Sequence, residues 1–158
     1  MSVDNTTQCC PVFEPKSWDD KTFEWTDKIF IKDKVTTFFY MPLNFGKAMV
    51  RLDNLVSQSD SEVEEWLCLS EHTSKWNMNL YLAVNKEIQN AENIRISGKY
   101  YCKVFEGSFN KTGEWTKEFA EILKSKGINA VKPLIWYTTC PKCAKKYGKN
   151  YVAFFGKQ

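Results

Sequence analysis

The side chains best suited to chemistry fall into three groups: paired cysteines, aromatic rings and a few acids. Cys140-Pro-Lys-Cys143 is a C-x-x-C knuckle, and Cys9-Cys10 is a vicinal pair near the start of the chain. Four thiolates can hold Zn²⁺ tetrahedrally, so Cys9, Cys10, Cys140 and Cys143 are the candidate set for a structural zinc. The flanking Lys142, Lys145 and Lys146 would offset the charge of a four-thiolate site. Two other readings stay open. The same lysines would depress a thiol pKa and favour a redox dithiol, or the thiols are incidental. Cys68 and Cys102 sit in apolar or alternating surroundings and are expected to be small buried hydrophobes.

Among the acids, Glu106 ends a strand-like run just before Gly107. A carboxyl there suits a general base acting on water, and a tyrosine hydroxyl, from Tyr137 or Tyr40, suits the matching acid. Tyr40, Trp76, Tyr81, Trp136 and Tyr137 lie on or beside predicted strands, where rings bind flat apolar ligands by stacking or simply fill a core. The lone His72 falls in a polar connection, and no Ser-His-Asp set can be assembled around it. The chain has no P-loop, no dinucleotide fingerprint and no H-E-x-x-H, and no cofactor is required.

These residues need a scaffold, and 158 residues with 43% hydrophobic and 15% aromatic content can bury a core. No apolar run approaches the ~18–20 residues of a membrane span. No signal peptide is visible, so a cytoplasmic protein with no membrane partner is expected. Residues 1–27 hold six acids against two lysines, whereas eight lysines and no acid follow Glu121. The two ends should attract each other. A basic end also suits nucleic acid, but only Arg51 and Arg95 supply the guanidinium fork used for base edges and phosphates, which argues against that partner.

Periodicity predicts strands over 22–31 and 35–41 with a turn at Lys32-Asp33, then a helix over 45–57 capped by Asn44. Strands follow at 65–70, 78–86 and 99–106, then a helix over 113–126 capped by Thr112, and strands at 134–138 and 151–155. Residues 34–86 and 99–156 thus share the order strand, helix, strand, strand. The expected class is α+β: a duplicated β-α-β-β with SHS2-like repeats. Its antiparallel sheet is pseudo-twofold, with both helices on one face and a ligand cleft between the halves. Residues 1–33 form an N-terminal arm with an extra strand.

The order of elements, together with Gly98-Lys-Tyr-Tyr-Cys-Lys-Val-Phe-Glu-Gly-Ser-Phe109, resembles the gyrase-inhibitor-like (GyrI-like) small-molecule-binding superfamily. The turn Gly107-Ser108-Phe109 departs at two positions from the superfamily's Gly-Pro-Tyr-like turn. Cys140-Pro-Lys-Cys-Ala-Lys-Lys-Tyr-Gly-Lys-Asn-Tyr151 resembles a subgroup of stand-alone proteins labelled "hydrolase". The resemblance implies an aromatic cleft for flat organic molecules and, in some stand-alone relatives, hydrolysis of strained cyclopropane-bearing aromatic toxins. It brings Phe109 into the ligand-binding set with Tyr40, Trp76, Tyr81 and Trp136. Trp136 takes the place of a glutamate common in the drug-sensing relatives. The chain before residue 34 is too short for a helix-turn-helix domain, so the expected partner is a small hydrophobic or aromatic molecule. Hydrolysis by Glu106 and Tyr137 is the alternative function, and a protein centred on the zinc or thiol site is the other.

Overall fold

The computed structural model describes residues 13–39, 41–129, 132–138, 148 and 150–158, the side chains of residues 41, 42 and 109 excepted. Within them the chain is α+β, with antiparallel strands and two α-helices. The strands are β1 (Lys21–Phe38), β2 (Met41–Pro42), β3 (Val63–Ser74), β4 (Asn77–Val84), β5 (Glu92–Glu106), β6 (Leu134–Tyr137) and β7 (Tyr151–Lys157). The helices are α1 (Phe45–Ser57) and α2 (Thr112–Ser125). Among the described residues no helix is long and apolar enough to cross a membrane. The chain divides into two units, Trp25–Gly98 and Met1–Glu24 with Lys99–Gln158, and each has its own core.

In the unit Trp25–Gly98 the strand order is β2-β1-β4-β3. Side chains alternate across a strand, so Met78, Leu80, Leu82 and Val84 of β4 share one face. Ile31 and Val35 of β1 join them, because Ile31 stands opposite Leu82 and Val35 opposite Met78. α1 lays Ala48 and Leu52 on this surface, with Phe45, Met49 and Val56 around them. The predicted turn at Lys32-Asp33 is absent. β1 runs straight through it, because β4 pairs with every residue from Phe30 to Thr36. Asp33 is held instead by α1: Arg51 donates to its carboxylate at 2.7 Å. Asn44 does precede α1, but its side chain does not cap it. Its Oδ1 accepts the Thr36 amide at 2.9 Å and fastens the end of β1.

The other unit repeats the principle with rings. β7 lies between β6 and β5. One face presents Tyr101, Phe105, Ile135, Val152 and Phe154 to Trp115, Phe119 and Leu123 of α2. On its other side Phe13 and Trp18 pack edge-on against Trp136, at 5.2 and 4.9 Å between ring centroids. The acidic arm therefore does meet the C-terminal segment. Rings supply that contact, with Asp20–Lys126 as an exposed ion pair of small worth, whereas Asp19 pairs with Lys103 of β5. Thr112 is the first residue of α2 rather than its cap; its carbonyl accepts the Thr116 hydroxyl.

Gly156 on β7 marks the closest approach of α2. A Cβ placed there would sit 2.7 Å from Leu123 Cδ1 and 3.2 Å from Phe119 Cε2. Gly156→Ala should destabilise the fold by about 1–3 kcal/mol through overpacking, read as a lower urea midpoint with unchanged slope. A second expectation concerns His72, whose burial lowers its pKa below the ordinary 6.5. The fold favours the neutral ring, so stability is full above pH 6.5 and declines as pH falls through that value. His72→Asn should remove this step from a pH series of thermal midpoints.

Candidate functional site

The face of β4 turned away from α1 carries Asn77, Asn79 and Tyr81, one after another along the strand. Neighbouring strands add polar groups in register. Glu71 of β3 stands opposite Asn79, and Lys32 of β1 stands opposite Tyr81. Glu71 and Tyr81 are diagonal neighbours on one face, a spacing that long side chains bridge. The Tyr81 hydroxyl donates to Glu71 Oε1 at 2.9 Å. Asn79, itself buried, points Nδ2 at the same phenol oxygen at 3.5 Å, and its Oδ1 accepts from Asn77 Nδ2 at 3.3 Å. Asn77 Nδ2 also donates to Thr73 at 2.8 Å. The result is a polar line across an otherwise apolar sheet, with Phe30, Leu67 and Leu69 fully buried beside it.

Burial pushes the Tyr81 pKa up to about 12, and the Glu71 carboxylate that accepts its proton adds to the shift. At neutral pH the phenol keeps its proton and can donate it. Lys32 is drawn aside by Glu92, 3.5 Å away, so the tyrosine faces carboxylates rather than a cation. The arrangement joins a proton donor directly to a carboxylate that can receive one.

The residues expected from sequence are distributed differently. Glu106 is solvent-exposed at the end of β5, opposite Tyr151. Tyr137 lies beside the first residue of α2: burial pushes its pKa up to about 12, and Thr112 hydrogen-bonds its hydroxyl. Trp136 is buried against Phe13 and Trp18 and fills space there. Trp76 sits in the β3–β4 turn against Phe38 and Phe39. Phe109 opens a short 3-10 turn before α2. Gly107 just ahead of it has φ +147 and lies against the Trp115 ring, so the turn needs a glycine there. Tyr40 and the four cysteines of the zinc set, Cys9, Cys10, Cys140 and Cys143, lie outside the described residues. Among the described residues no cluster of three or more His, Cys, Asp or Glu side chains is placed to hold a metal ion. Cys68 and Cys102 are both shielded thiols; burial pushes Cys68 up to about 12 and Cys102 in the same direction.

Glu71 is the member of the site that sequence reasoning passed over. Its signal was its place in an alternating run, Leu67, Leu69, Glu71, where a single acid shares a face with buried leucines.

A family model described as "Bacterial hydrolase" matches residues 1–158. The chain belongs to this bacterial hydrolase family. Its fold is shared by the C-terminal domain of EcmrR, with a TM-score of 0.62 at 10% identity, covering 87% of this chain and 94% of that one. A hydrolase from Listeria innocua matches with a TM-score of 0.61 at 10% identity, over 89% of this chain and 92% of its own. An uncharacterized conserved protein from Listeria innocua matches at 0.59 and 9% identity, over 87% and 93%. No curated protein matches the chain. The family match bears out the expected likeness to hydrolase-labelled proteins, and these neighbours share the fold.

Within this family member, the Tyr81–Glu71 bond has a structural consequence that can be measured. Tyr81→Phe leaves a half-buried carboxylate without its donor and should cost about 1–3 kcal/mol in urea unfolding. Adding Glu71→Gln should recover part of that loss, because the buried charge is then gone.

Proposed function

We propose that this protein binds a flat hydrophobic or aromatic compound and hydrolyses it, with Glu71 and Tyr81 as the acid–base pair. The observation that carries this reading is the 2.9 Å hydrogen bond from the Tyr81 hydroxyl to Glu71 in a half-buried position. Glu71 takes a proton from water as the water oxygen bonds to an electrophilic carbon of the substrate. Tyr81 gives its proton to the oxygen or carbon that leaves, and the phenolate is neutral again once Glu71 returns the proton along their hydrogen bond. Water is added across one bond and both side chains end as they began. A phenol with a pKa near 12 remains a donor throughout the neutral range. The family description and the apolar sheet around the pair support the same reading.

Glu106 and Tyr137 are the competing assignment, and one assay separates the two. A panel of flat, reactive aromatic compounds is first screened for ligands that raise the thermal midpoint. Time-dependent loss of a ligand is then followed. Glu71→Gln and Tyr81→Phe should each slow it by about 10²-fold or more while the thermal shift persists. Loss that survives both substitutions, or that disappears instead with Glu106→Gln and Tyr137→Phe, overturns the assignment to β3 and β4.

Two further parts of the reading rest on sequence. Residues 34–86 and 99–156 are taken as two copies of one β-α-β-β unit, supported by the order β1-α1-β3-β4 in one and β5-α2-β6-β7 in the other. A structural zinc on Cys9, Cys10, Cys140 and Cys143 predicts about one metal per chain, lost with Cys140→Ser and Cys143→Ser. Purified protein free of zinc would remove it.

A further inference from the structure

We propose that the corner formed by Phe38, Phe39, Leu43 and Trp76 docks on an anionic lipid surface. Phe38 and Phe39 are each 56% exposed, Trp76 is 52% exposed and Leu43 is 64% exposed. The three rings form one cluster, with centroid separations of 4.8, 5.0 and 5.7 Å. At those separations the rings touch one another, leaving no slot between them for a flat ligand or a cation. The cluster stands at the end of β1 and in the β3–β4 turn, so it is a protruding corner and not a groove.

Three observations point to lipid. The first is charge: residues 34–45 and 73–78 contain no acid, and their only charges are Lys34 and Lys75. Lys75 Nζ lies 5.6 Å from the Phe39 ring centre, with its ammonium beside the apolar cluster. That is the arrangement of an interfacial anchor, in which rings enter the headgroup layer and lysine meets anionic lipid.

The second is backbone accounting. An apolar medium penalises unpaired amides, and three at this corner, those of Thr37, Leu43 and Trp76, are paired inside the protein. The amide of Thr37 donates to the Trp76 carbonyl and that of Leu43 to the Thr36 carbonyl, both at 2.9 Å. The amide of Trp76 donates to Ser74 Oγ at 3.1 Å, and the Thr37 hydroxyl donates to the Lys75 carbonyl at 2.7 Å.

The third is size. Aromatic side chains can each bury ~150–250 Å². Half-exposed, the three rings offer on the order of 300 Å², well short of the ~800 Å² per partner that a stable protein–protein contact needs. A few inserted rings and one lysine suffice for weak, reversible membrane attachment. Phe39 also holds a left-handed backbone, φ +48, which is strained for an aromatic residue and keeps its ring on this corner.

The test uses the whole chain and sedimentation with extruded vesicles. Vesicles of equal parts phosphatidylcholine and phosphatidylglycerol should carry the protein down, at least ~10-fold more than pure phosphatidylcholine, with the difference shrinking as salt is raised. Phe39→Ser with Trp76→Ser, and separately Lys75→Glu, should reduce sedimentation severalfold at an unchanged thermal midpoint. Brominated acyl chains should quench part of the tryptophan emission of the natural protein and less of it in Trp76→Phe. This last variant keeps a ring, and so reports depth even if the serine variants fail to fold. Absence of sedimentation with anionic vesicles overturns the proposal. So does sedimentation that the substitutions leave unchanged, or a concentration-dependent dimer that the serine substitutions abolish.

Discussion

β4 is paired on both edges, to β1 and to β3, and this double pairing fixes what its two faces can do. Held between β1 and β3, the strand cannot slip by one residue without turning Met78, Leu80, Leu82 and Val84 away from α1. The hydrophobic face thus locks the polar face. Asn77, Asn79 and Tyr81 are presented in a row because the residues between them are held in the core. The site is a by-product of alternation, made specific by one acid on the neighbouring strand.

Half-burial of that acid gives it its character. A half-buried carboxylate requires a donor, and Tyr81 supplies one. The phenol in turn becomes harder to ionise, since a negative phenolate would face Glu71 and Glu92 in a poorly solvated place. The carboxylate thus helps keep the phenol protonated. The second unit spends its tyrosines differently: Tyr137 is tied to the start of α2, and Tyr101 donates to Asp20.

Much of the scaffold was legible in the sequence. The helix over 45–57 coincides with α1, because Phe45, Met49, Leu52 and Val56 are spaced for one face. The helix over 113–126 lies within a residue of α2 for the same reason. The strand breaks were harder. Lys32-Asp33 has the composition of a turn, yet sheet pairing on β4 and the Arg51 contact overrode local preference. Site residues were less legible still. A tyrosine and an acid ten positions apart carry no local signal, and the register that joins Glu71 to Tyr81 belongs to the folded sheet alone. Trp136 reads like a cleft residue by its place on a strand, but its neighbours Phe13 and Trp18 come from the distant arm.

β3 departs from regular pairing near its start, where Glu65 and Trp66 both take left-handed backbone angles. Val63 stands opposite Val84 and Cys68 opposite Leu82, so three residues are looped out there. Three is an odd number, and parity decides orientation in a strand that alternates sides. Both Val63 and Cys68 contact the α1 core, and every odd-numbered side chain beyond the loop-out is sent the other way, Glu71 included. The looped-out residues thus reset the phase of the strand: pairing with β4 resumes at Cys68, and from there Cys68 shares the face of Leu82 while Glu71 shares that of Asn79.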